Sequence, residues 1–198
     1  MNPLASRIGT VILGVVLAIL ALVIVGNLDG IGLLPLWVWL HAVVGIAWVG
    51  LLYYFNFVQV PAVGQALADE TPGPAAINKY VAPRALFWFR WAAVATWLTG
   101  AMTLETIHAA DGSGVAAAFS FAEGYRLIGL GAWLGTIMLF NVWVLIWPNQ
   151  KKILGLVSAS AEEVAKAKPI ALMASRINTA LSLPMLLAMT GHMHGLAA

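Results

Sequence analysis

Residues 33–60 read LLPLWVWLHAVVGIAWVGLLYYFNFVQV, and this stretch decides the fold. It contains no Asp, Glu, Lys or Arg, and it exceeds the roughly 20 apolar residues that carry a helix across a bilayer. It is long enough to span with tilt or to run on beyond the hydrocarbon. The segment from Pro61 to Pro83, with Asp69, Glu70, Pro72, Gly73, Pro74 and Lys79, cannot span. It reads as an aqueous loop that includes at most a short surface helix.

Four more apolar runs flank this one. Upstream, residues 8–26 follow Arg7 and precede Asn27, Leu28, Asp29 and Gly30. The run is longer than a signal-peptide core and no Ala-x-Ala site follows it, so a retained anchor is expected. Downstream, spans are expected at about 84–107, 124–147 and 170–191. The first of these opens on an aromatic belt of Phe87, Trp88, Phe89 and Trp91 beside Arg84 and Arg90. Pro148, Asn149, Gln150, Lys151 and Lys152 close the second, whose Gly131 and Gly135 invite close approach of another helix. Ser160 is a candidate N-cap for a surface helix over 158–168 that carries Glu162 and Glu163.

Composition agrees. Of 198 residues 62% are hydrophobic and 9% charged, with mean hydropathy +0.91, against roughly 25% charged in a soluble domain. A soluble protein is excluded. The expectation is an all-α, polytopic membrane helical bundle of about five transmembrane helices, forming a single integral membrane domain over 1–198. With the N-terminus inside, every Lys and Arg except Arg126 falls on the cytoplasmic side. That bias predicts an N-in/C-out topology, and it makes the basic residues topology signals rather than nucleic-acid contacts. The absence of cysteine excludes disulfides, iron–sulfur clusters and thioether-attached haem. Any metal must therefore use His, Met, Glu or Asp.

This topology puts all four histidines in the outer half of the membrane. His108 follows the third span, His192 and His194 follow the fifth, and His41 lies roughly 10 Å inside the outer end of the second. An imidazole at that depth needs a partner or a ligand. It can hydrogen-bond a neighbouring helix, or it can bind a cofactor. His41, Gly45, Trp48 and Leu52 share one helical face, and the space beside Gly45 suits either a porphyrin edge or a packed helix. Asn178, Ser182, Met185, Met189 and His192 form a second stripe, which faces the bundle interior. A b-type haem needs imidazoles from facing helices, and His41 and His192 are the candidate axial ligands, with Gly45 and Trp48 in the cofactor wall. The competing metal reading takes copper through Met185, Met189, Met193, His192 and His194, with His108 as a further candidate ligand. Glu105 and His108 also share a face, without the second Glu-x-x-His of di-iron bundles. Asn56, Gln59 and Asn141 read as helix-packing residues. No phosphate loop, nucleophile elbow or catalytic carboxylate pair is present.

Four segments carry a family resemblance: HAVVGIAWVGLLYYFNFV from His41, FWFRWAAVATWLTG over 87–100, NVWVLIWPNQKKILG over 141–155 and SRINTALSLPMLLAM over 175–189. They resemble the urate oxidase N-terminal membrane domain family, which includes the membrane part of a bacterial urate hydroxylase fused to a cytochrome c domain. The resemblance runs over about 35–192, with Trp-Pro-x-Gln and Leu-Ser-Leu-Pro its most specific parts. His41, Trp48 and Gly50 also resemble a pattern in haem-binding protoporphyrinogen oxidases and copper-resistance membrane proteins. The 198 residues hold no cytochrome c domain, so the resemblance implies a redox-associated bundle, with urate oxidation implied by the family alone and the isolated chain not expected to be an enzyme.

The functional expectation is a multi-pass protein of the bacterial inner (cytoplasmic) membrane. It would bind haem b near the periplasmic side and exchange electrons with a cytochrome c or a respiratory complex, alone or as an oligomer. The alternatives are a non-catalytic accessory subunit of a larger membrane complex, and periplasmic copper binding.

Overall fold

A computed structural model describes residues 2–26, 32–69, 71–107 and 112–196. They form six helices and no strand: α1 (Arg7–Val25), α2 (Leu33–Ala68), α3 (Ala82–Thr106), α4 (Gly114–Phe119), α5 (Arg126–Ile153) and α6 (Ala161–Met193). The all-α expectation holds. The chain divides into two compact units, Met1–Leu36 and Trp37–Ala198.

In the first unit, the Ser6 hydroxyl caps α1 by accepting from the Gly9 N–H at 2.9 Å. None of the described side chains of α1 is buried, as a helix whose apolar surface is covered by lipid requires.

In the second unit, α2, α3, α5 and α6 share one core. Leu52, Phe89, Met138 and Val142 are almost wholly enclosed, and Phe55 meets Phe89 edge-to-face at 5.3 Å. α6 contributes small residues: Ala167, Ala171, Ala174, Ala188 and Gly191 are all buried. Lipid is as apolar as leucine, so helices in a membrane gain most from close backbone approach, and a small-residue stripe permits it. α4 closes one end, with Ala118 packed on Leu104 and Ile128.

Four helices, α1, α2, α5 and α6, are long and apolar enough to cross a membrane, which makes this a membrane protein. The fifth expected span, 84–107, is the helix α3, and it is more polar than expected. It carries Arg84, Arg90 and Glu105, and threonines at 96, 99, 103 and 106 whose hydroxyls bond carbonyls of their own helix.

Three helical boundaries also differ from expectation, and prolines explain two of them. α2 continues to Ala68, past Pro61, so 61–68 is not loop. α5 continues past Pro148 to Ile153. In each case a π-helical segment lies just ahead of the proline, Phe55–Gln59 before Pro61 and Asn141–Ile146 before Pro148. A third, Ile77–Val81, precedes Pro83 at the start of α3. A proline ring collides with the carbonyl four residues back, and in all three cases that carbonyl lies within the widened turn. The widening absorbs the clash and the helix goes on. The third difference is α6, where the expected surface helix and the fifth span are one helix that runs through Pro169. Its N-cap is the expected Ser160, in a full capping box with Glu163.

Candidate functional site

His41 is half-buried in the third turn of α2, and its Nδ1 lies 2.8 Å from the carbonyl oxygen of Thr96 on α3. A carbonyl only accepts, so Nδ1 carries a proton, and in the neutral ring Nε2 then keeps its lone pair. α3 is built for this approach. Gly100 stands where any side chain would strike the ring: a Cβ there would lie 2.9 Å from His41 Cε1. The Thr99 hydroxyl, 3.4 Å from Nδ1, is committed to the Ala95 carbonyl at 2.7 Å.

The expected stripe on α2 holds, since Trp48 and Leu52 are buried on the side of the core cluster. The space beside Gly45 is taken by α3, with the Thr96 methyl 3.7 Å from where a Cβ would stand. Of the two uses open to that space, the packed helix is the one found. The indole N–H groups of Trp37 and Trp48, one turn before and two turns after His41 on the same face, are buried without an acceptor. A buried donor without a partner costs about 1–3 kcal/mol, and Trp143 on α5 carries a third such indole N–H.

The other histidines lie elsewhere. The His192 ring stands 6.4 Å from that of Tyr125, in the last turn of α6. His194 is exposed, with Nδ1 2.7 Å from the Thr190 carbonyl. His108 lies outside the described residues. Met189 packs over Gly131, as the close-approach reading of that glycine requires, whereas nothing approaches Gly135. Met185 is buried in the core and Met193 is exposed. Among the described residues no hydrogen bond or ring contact joins His41 to His192, and no three His, Asp or Glu side chains gather to hold a metal ion. Glu105 accepts from the Ser113 hydroxyl.

A polar seam crosses the core below His41. The Asn141 amide donates to Asn178 Oδ1 at 2.8 Å, and the Asn178 amide donates to the Met138 carbonyl at 2.9 Å. Tyr53 and Ser182 share a hydrogen bond at 2.9 Å, and the Asn56 amide donates to the Ser175 hydroxyl at 2.8 Å. The second sequence stripe therefore does face inward: Asn178 and Ser182 are fully enclosed. Asn56 and Asn141 join helices as read, while Gln59 keeps a buried carbonyl oxygen without a donor.

Sequence reasoning passed over Thr96, Thr99 and Gly100, the partners of His41. Their signal was present: the threonines of α3 recur at the three- and four-residue steps that mark one helical face. Tyr53 and Ser175 were missed because neither residue type is unusual in a membrane helix.

No curated protein and no solved structure matches the chain. Residues 112–197 match a family described as urate oxidase N-terminal. The match takes in α4, α5 and α6, and with them the Trp-Pro-x-Gln and Leu-Ser-Leu-Pro segments, Met189, His192 and His194. His41 and the 87–100 segment lie outside it. Over residues 112–197, less than half of its length, the chain is similar to the urate oxidase N-terminal family.

Proposed function

We propose that this chain is an integral redox protein of a bacterial inner membrane, N-in/C-out, that holds a b-type haem through Nε2 of His41. The observation that carries this reading is the anchored imidazole. With Nδ1–H donated to the Thr96 carbonyl, the ring is fixed and Nε2 is made more basic, as a ligating histidine requires. Bound haem supplies one-electron chemistry, at a potential set by axial ligation and burial. His192, in the last turn of α6, is the candidate second ligand. The partner is a cytochrome c or a respiratory complex on the periplasmic side, and urate oxidation remains a property suggested by the family.

A second reading, a non-catalytic accessory subunit, draws on the Thr96 methyl that fills the space beside Gly45. In that case the His41 bond serves only to lock α2 to α3. Copper binding through Met189, His192 and His194 is the third.

The test is a dithionite-reduced minus oxidised spectrum of protein purified in mild detergent from haem-replete cells, with metal analysis of the same sample. The expected result is a b-type band that His41→Ala abolishes while the protein stays folded. Folded protein without stoichiometric iron or copper overturns both metal readings and leaves the accessory subunit. Copper that survives His41→Ala selects the third.

A further inference from the structure

At the end of the bundle where α3 begins and α5 ends, two cations share one indole. Arg90 lies over the Trp147 ring at 3.8 Å and Lys151 at 5.7 Å, with Phe87 on the other flank of Arg90 at 5.4 Å. Like charges held on a single ring repel unless an anion stands between them, yet among the described residues no carboxylate serves either cation. The ion pairs among the described residues are Lys152 with Glu163 and Lys166 with Glu162, which use the acidic residues at the start of α6. Neither Arg90 nor Lys151 donates a hydrogen bond to a protein acceptor among the described residues. The guanidinium keeps its planar fork of donors, which matches two oxygens of one phosphate. The indole holds it in place without consuming those donors.

The surroundings select the kind of anion. Phe87, Trp88 and Trp91 on the same stretch of α3 are all exposed, which is the pattern of side chains at the level of lipid headgroups. A soluble anion has no use for that apolar surface, whereas a phospholipid lays its acyl chains along it. We infer that Arg90 and Lys151, seated on Trp147, form a specific binding site for the headgroup of an anionic phospholipid. The site is independent of the haem reading.

Spin-labelled lipids test it directly. The full chain is reconstituted in phosphatidylcholine vesicles with spin-labelled phosphatidylglycerol or phosphatidylcholine, and the protein-bound fraction of each label is compared. The wild type is expected to prefer phosphatidylglycerol. Arg90→Gln and Lys151→Gln each lower that preference by about fivefold, the scale of one basic residue at a charged membrane surface. Lys166→Gln, whose partner is Glu162, leaves it unchanged. Arg90→Lys keeps the charge and loses the fork, so an intermediate preference is expected and guards against a folding defect in the glutamine variant. Equal association of the two lipids with the wild type overturns the proposal. So does an equal fall in Lys166→Gln, which marks diffuse attraction rather than a site. Displacement of the bound label by millimolar inorganic phosphate also overturns it, by assigning the site to a soluble anion.

Discussion

His41 Nδ1 and the Thr96 carbonyl oxygen, 2.8 Å apart, tie α2 to α3 through a side chain on one helix and the backbone of the other. The bond depends on a third residue, Gly100, which leaves room for the ring. Because the acceptor belongs to the backbone, no substitution at Thr96 removes it. The pairing can be broken only by removing the histidine or by pushing its ring away.

Gly100→Ala does the latter. Its methyl would stand 2.9 Å from Cε1, closer than packed carbons tolerate, so the imidazole must leave Thr96. The expected loss is about 1–3 kcal/mol, read as a lower Tm in detergent. In a His41→Ala background the same substitution meets no ring, and its effect is expected to vanish. A Gly100→Ala penalty that persists without His41 contradicts the assigned role of the glycine.

The helical bundle was legible because residues 8–26 and 33–60 are apolar for a full membrane thickness, a signal no loop imitates. The ends of the helices were not. Pro61 and Pro148 read as stops, because sequence cannot show that the preceding turn has widened to take the ring. His41 stood out as a lone imidazole in an apolar run. Its acceptor did not, since a backbone carbonyl has no letter of its own. The threonines of α3 marked the facing side, but their hydroxyls serve their own helix, and the residue that admits the ring is a glycine.

The capping box at the head of α6 gives a local test. Ser160 accepts from the Glu163 N–H at 3.2 Å, and Glu163 accepts from the Ser160 N–H at 2.8 Å. Ser160→Ala removes one half of this exchange and is expected to cost about 0.5–2 kcal/mol, whereas Ser160→Asp retains a cap and costs less. Amide exchange over 161–164 is expected to quicken in the alanine variant alone.

Two glycines outside the His41 site should respond in opposite ways. A Cβ at Gly129 would run into the Ala118 carbonyl of α4, and a carbonyl in a packed helix cannot swing aside. Gly129→Ala is therefore expected to lower Tm markedly and to free α4 from the end of the bundle. Gly50, in the middle of α2, has nothing within 4 Å of the same position. Gly50→Ala is expected to be neutral, or to stabilise by up to about 1 kcal/mol by restricting the unfolded chain. Equal responses at the two positions contradict the packing at Gly129.

The seam between α5 and α6 gives the last prediction. Asn178 is wholly enclosed and satisfies two groups at once, accepting from the Asn141 amide and donating to the Met138 carbonyl. That carbonyl adjoins the π segment Asn141–Ile146, where the widened turn alters the regular ladder of backbone bonds. Asn178→Leu should leave the Asn141 amide stranded in an apolar interior, at an expected cost of about 1–3 kcal/mol. Asn141→Leu removes the donor but leaves Asn178 its bond to Met138, and so should cost less. If the two asparagines act as a pair, the double variant loses less than the two single losses together, because no donor is left unpaired. Unfolding in mixed micelles measures all three against the wild type. Strict additivity would mean that each asparagine acts alone, and would remove the seam as the element holding α5 against α6.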